Sequence, residues 1–156
     1  MKRNLLLFFL AISSFCFSQS ADSLLGKWSG KDGNNKIGAF TFFPDNYVAV
    51  EIDDMFIDGR NYIIPAGPNK GKKAYVKYIV DYSVNPNKLI INAFYKDGND
   101  IIEESQFLNG LIEFVGKNQL MIQLDFDKEN LKKIDPSGKS TLVLNKVEEL
   151  KNLSNE

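Results

Sequence analysis

The chain has 156 residues, with 19 Lys or Arg against 20 Asp or Glu, one cysteine and no histidine. Without histidine there is no Ser-His or Cys-His nucleophile pair, no imidazole base and no ordinary zinc or copper site, so only carboxylate, Lys, Tyr or Ser chemistry stays open. The formal net charge of −1 gives no polybasic character suited to nucleic acid or to an anionic membrane surface.

Residues 1–18 read as a secretory signal peptide. Lys2 and Arg3 form a positive start, an apolar run covers residues 5–12, and small residues over 13–18 precede a cut before Gln19. The apolar run is too short to anchor the chain as a bilayer-spanning helix. Cys16 raises the alternative of a lipoprotein, but Ser14-Phe15 before it does not match a lipobox. Loss of the signal leaves about 138 residues, 19–156, with 17 basic and 20 acidic side chains, a net charge of −3 and no cysteine. That is one domain with a proper core, stable without disulfides, expected in the periplasm or outside the cell.

From Gly26-Lys27-Trp28 onward the pattern is that of short strands. Phe40 and Phe42 share one face of the first part of 39–52. Val48, Val50 and Ile52 share a face beyond the Pro44-Asp45-Asn46 turn, which predicts a hairpin. Residues 53–73 are less regular. Met55-Phe56-Ile57 and Tyr62-Ile63-Ile64 read as two short strands joined at Asp58-Gly59, and residues 65–73, with two prolines and two glycines, as a loop. Alternation resumes over 74–82, with Val76, Tyr78, Val80 and Tyr82 on one face. Strands follow over 89–95, 101–108, 111–115 and 120–126, with turns at Asp97-Gly98-Asn99, Asn109-Gly110 and Gly116-Lys117-Asn118. Residues 127–134 have helix-forming composition and an acidic start, which predicts a turn or two of helix. A closing strand spans 140–147, and 149–156 read as a polar tail.

Nine or ten short strands joined by tight turns predict an all-β fold. The expected form is a single antiparallel up-and-down barrel of about 8–10 strands, because closure removes the sheet edges that so aromatic a sheet would expose.

In order along the chain, several pieces resemble the lipocalins and a bacterial lipocalin-like family of unassigned function. They are Gly26-Lys27-Trp28, then Phe42-Phe43-Pro44-Asp45-Asn46, then Tyr78-Ile79-Val80-Asp81 with Asn85-Pro86-Asn87-Lys88-Leu89. Leu111-Ile112-Glu113-Phe114 with Asn118-Gln119-Leu120-Met121-Ile122 completes the set. The resemblance implies a small barrel closed at one end by the tryptophan, with a last-strand arginine lying over it. Here Lys146 falls on the same strand face as Leu142 and Leu144, at the position of that arginine. It supplies a cation–π contact of about 0.5–1 kcal/mol if exposed, without the planar fork of arginine. Residues 131–136 also depart from the arginine-proline pattern that the resemblance implies there.

Gly26, Trp28 and Lys146 are therefore expected as the structural closure. Phe40, Phe42, Val76, Tyr78, Phe114 and Leu124 are candidate lining for a ligand, since an eight-stranded barrel either fills its interior or leaves room for one small molecule. Phe56, Arg60 and Tyr62 are candidate mouth residues, beside Lys70, Lys72 and Lys73. Glu51, Asp53, Asp54 and Asp58 match no calcium-loop spacing, and Asp32-Gly33-Asn34 and Asp97-Gly98-Asn99-Asp100 fail the EF-hand pattern, so no metal is expected. Glu103 and Glu104, adjacent on a strand, point to opposite faces and form no acid/base pair. No catalytic group and no cofactor are expected. The expected function is binding of a small apolar or amphipathic ligand inside the barrel; the alternative is a filled barrel that binds a protein partner, as an interaction module or inhibitor, through its surface loops.

Overall fold

The structure, a computed structural model, describes residues 21–32, 34–52, 55–96, 102–127 and 129–148. The signal segment with Cys16, the turn at 97–99, Asp53, Asp54, Asp100 and the tail at 149–156 lie outside the described residues. No helix among the described residues is long and apolar enough to cross a membrane.

One helical turn, α1 (Ala21–Leu24), leads into β1 (Gly26–Asp32). β2 (Ile37–Phe42), β3 (Val48–Ile52) and β4 (Met55–Ile57) follow as a meander. A second meander runs through β5 (Tyr62–Ile63), β6 (Lys73–Asp81), β7 (Asn87–Lys96), β8 (Ile102–Gly116), β9 (Gln119–Leu124) and β10 (Thr141–Lys146). Together they make one ten-stranded antiparallel sheet in the order β4-β3-β2-β1-β10-β9-β8-β7-β6-β5. Because β10 pairs with β1, the two meanders join into a nearly closed up-and-down barrel.

Period-2 alternation explains which side chains turn inward. Trp28, Phe40, Phe42, Val48, Val50, Val76, Leu89, Ile91, Ile112, Ile122 and Leu144 all belong to one buried cluster drawn from nearly every strand. Phe42 meets Phe40 in a stacked pair at 6.0 Å and Tyr78 edge-on at 4.9 Å.

Three sequence expectations need correction. Asn109-Gly110 is not a turn: both residues lie inside the long strand β8, where Gly110 pairs with Leu89 on one side and Leu124 on the other. A Cβ there would stand 2.5 Å from the Gln123 carbonyl oxygen, so this glycine serves close strand approach. Residues 127–134 form no helix among those described. The Asp125 carboxylate instead accepts the backbone N–H groups of Glu129 and Asn130, both at 2.9 Å, and Asn130 sits at φ 59°. A short acidic side chain has outcompeted the helical hydrogen-bond pattern, and a left-handed residue interrupts it.

The third correction concerns β4 and β5, which do not form a hairpin. β4 pairs with β3 and β5 with β6, so these sequence neighbours are the two free edges of the sheet. Between them runs a seam stitched by other contacts. Val76 N–H donates to the Gly59 carbonyl at 2.7 Å, Tyr78 N–H donates to the Asn46 carbonyl at 2.9 Å, and Tyr47 forms an isolated bridge with Lys77. Gly59 is wedged here: a Cβ would lie 2.0 Å from Val48 O and 2.8 Å from Val76 O, so no larger residue fits the seam without moving strands.

Candidate functional site

Trp28, the expected closure residue, stands near the start of β1. Its indole is buried, its Nε1–H donates to the Leu24 carbonyl at 2.7 Å, and its ring meets Phe114 edge-on at 6.0 Å. The single turn of α1 thus supplies the one hydrogen bond that a buried indole requires. Trp28 and Lys146 are register partners on β1 and β10, and Lys146 Nζ lies 5.2 Å from the ring centroid while donating to the Ser23 carbonyl at 3.3 Å. Gly26 sits at φ 108°, a left-handed conformation that L side chains rarely adopt, and the nearest atom to an added Cβ is Lys146 Cε at 3.5 Å. Its role is to bend the chain from α1 into β1, rather than to clear space for the indole.

The candidate lining residues are core residues here. Phe40, Phe42, Val76 and Leu124 are buried, Tyr78 nearly so, and Phe114 packs against the same cluster while half-buried. Phe40 and its neighbours Trp28, Val48, Val50, Leu89, Ile91 and Ile112 have no accessible surface at all, which leaves no water-sized space against them. The Tyr78 hydroxyl donates to the Phe43 carbonyl at 3.3 Å, and burial pushes its pKa above the ordinary tyrosine value.

The three candidate mouth residues stand on or between the edge strands β4 and β5. Phe56 stands on the outer wall of edge strand β4, 65% exposed. Tyr62 is half-buried and packs against the core. Arg60, at the tip of the β4–β5 connection, points toward the β2–β3 turn. One Nη donates to both oxygens of Asp45 at 2.9 and 3.0 Å, and the guanidinium lies 4.1 Å from the centroid of Phe43 and 5.8 Å from that of Tyr47. This hydrogen bond, more than any other effect, holds the Asp45 carboxyl below the ordinary aspartate range. Arg60 therefore ties the β4–β5 connection to the β2–β3 turn beside the seam. It belongs to a row of alternating cations and rings on the outer wall: Lys77 lies 4.9 Å from the Tyr47 ring, Tyr47 meets Tyr75 edge-on at 6.1 Å, and Lys73 lies 5.4 Å from Tyr75. Phe43 and Tyr47 escaped the sequence reading because neither lies on a strand face with an obvious partner; only the fold sets them against Arg60.

The carboxylates weighed as metal ligands have other occupations. Glu51 pairs with Lys27 at 3.6 Å, the Asp58 carboxylate caps Arg60 N–H at 2.9 Å, and that of Asp32 caps the N–H groups of Asn34 and Lys36. Glu104, weighed only as half of an acid/base pair, accepts the Asn92 amide at 2.6 Å. Among the described residues, no three or more His, Cys, Asp or Glu side chains converge as a metal site.

A recess of about 240 Å³ lies outside the barrel, where the segment after β9 folds back over β8 and β9. Lys88, Gln106, Asn109, Leu111, Asp125 and Leu131 line it. The wall is held by hydrogen bonds: Asp125 to Glu129 and Asn130 as above, Asp135 N–H to Gln123 Oε1 at 2.7 Å, and the Thr141 hydroxyl to the Asp135 carbonyl at 2.7 Å. Leu111, outward by alternation, is buried beneath this flap. With Asn109-Gly110 taken as a turn, no sign in the sequence pointed to a cover over β8 here.

Fold and site together define a nearly closed antiparallel β-barrel around one buried apolar cluster that includes Trp28. No protein-family model, curated protein or solved structure matches the chain.

Proposed function

We propose that this protein is a binding module that works through the outer wall around its seam, with the barrel serving as a rigid support. The observation that carries the reading is the contrast between a core whose central side chains have no accessible surface and a seam flanked by exposed apolar side chains: Met55 and Phe56 on β4, Ile63 on β5, Tyr75 and Ile79 on β6. Arg60, Lys72, Lys73 and Lys77 stand among them, each against an aromatic ring. Exposed apolar residues interleaved with cations suit a protein partner that presents an apolar patch with an acidic rim. The unpaired outer edges of β4 and β5 add main-chain donors and acceptors to the same surface. The signal-like N-terminus supports an envelope or extracellular setting for that partner, and the pieces around Trp28 and Lys146 support a lipocalin-like ancestry for the support.

The test is capture from envelope extract with the intact chain and with Phe56→Ser/Ile63→Ser. A partner held by the parent and lost by the variant is the expected result. The competing reading, an apolar ligand within the barrel, is checked by native mass spectrometry after incubation with fatty acids, isoprenoids and lipid extract. A retained lipid that survives the seam substitutions overturns the proposal.

A further inference from the structure

The recess behind β8 carries an inference independent of the seam. We propose that it binds a small zwitterion, a free α-amino acid with an aliphatic side chain. Its lining sets a cation, Lys88, and a carboxylate, Asp125, in one pocket, with Leu111 and Leu131 as its apolar parts. At about 240 Å³ it lies below the usual range for drug-sized ligands and suits one compact molecule. Among the described residues that line it, none is aromatic.

The carboxylate of Asp125 is fixed before any ligand arrives. Each of its oxygens accepts one backbone N–H, from Glu129 to Oδ1 and from Asn130 to Oδ2, which holds the group in place and leaves further lone pairs for an ammonium. Lys88 lies on β7 opposite Leu111 on β8, which sets the ligand carboxylate over the apolar floor. A third group points the same way. Asn109 is among the residues around the recess, and its Oδ1 is buried without a hydrogen-bond partner among the described residues. A buried acceptor left unpaired is costly, and its terminal torsion is soft enough to turn the oxygen toward a donor entering the recess. An α-ammonium, with three donors, answers Asp125 and Asn109 together. The aliphatic side chain then lies against Leu131, on the flap.

The experiment is titration of the ¹⁵N-labelled intact chain with leucine, followed by amide chemical shifts. The deaminated acid and the decarboxylated amine of leucine serve as single-charge controls. Leucine is expected to shift the amides of Lys88, Asn109, Leu111, Asp125 and Asn130, and each control to bind roughly tenfold or more weakly, as loss of one charge-assisted hydrogen bond requires. Lys88→Met is expected to weaken leucine by a similar factor while leaving the amine control unchanged. Leu131→Glu, placed on the flap outside the sheet, is a second variant whose folding does not depend on strand β7, and it too should lose leucine. Absence of shifts at millimolar leucine, equal binding of either control, or unchanged leucine binding in both variants overturns the proposal.

Discussion

The plugged end and the seam close the same barrel by different physics. At the plug, closure comes from burial: Trp28, Leu24 and Leu144 have no accessible surface, and the only polar atom of the indole is satisfied. At the seam, closure comes from a few backbone hydrogen bonds, the wedged Gly59 and an Arg60–Asp45 clamp whose partners are both about half exposed. Burial of large apolar surface is worth several kcal/mol per residue, whereas exposed ion pairs contribute little. The contrast predicts that the barrel is firmer around Trp28 than between β4 and β5, which are also the strands proposed to meet a partner.

The largest break in this contrast is Trp28→Ala, expected to cost about 3–5 kcal/mol, as large core truncations do. Denaturant unfolding followed by far-UV circular dichroism measures it. If the variant unfolds like the parent, burial at the plug is not what holds that end. Next is Gly59→Ala, which drives a Cβ into Val48 O and Val76 O and is expected to destabilise by about 1–3 kcal/mol. Its effect should concentrate in faster hydrogen exchange of β4, β5 and β6 amides. Uniform loss of protection would mean that seam and plug unfold as one unit.

Arg60→Ala should leave the plug intact and speed exchange at the same seam amides by a smaller factor. Removal of its contact with the Phe43 ring accounts for about 0.5–1 kcal/mol. The matching pH experiment has a defined sign. Because Arg60 lowers the folded-state pKa of Asp45, the clamp contributes fully above the ordinary aspartate range and is lost as pH falls through that lowered value. The protection of the seam amides, referenced to their intrinsic exchange rate at each pH, should therefore fall selectively in acid, and Arg60→Ala should abolish that selectivity. Smallest is Lys146→Met, which removes a cation 5.2 Å from the indole centroid and is expected to cost about 0.5–1 kcal/mol. Tryptophan fluorescence should shift while global exchange barely changes.

Much of the barrel was legible because strand burial is local and periodic. Phe40 and Phe42, Val48 and Val50, Val76 and Tyr78 turn inward as their alternation predicts, and Trp28 faces Lys146 across β1 and β10. Where the reading failed, a local signal had a nonlocal meaning. Asn109-Gly110 has the residues of a hairpin turn, yet Gly110 is needed for two neighbouring strands to approach. Asp58-Gly59 likewise suggests a hairpin, yet the space its glycine leaves is used by the backbones of β3 and β6.

Sequence alone determined an all-β chain with this inward face, no histidine chemistry, and a glycine-tryptophan start, because composition and two-residue periodicity act residue by residue. Tertiary structure decided which strands became edges, that Arg60 ties the β4–β5 connection to the β2–β3 turn, and that the segment after β9 folds over Leu111 to form a recess. Each of these depends on contacts between residues far apart in the chain, whose free energy is set only when the barrel has closed.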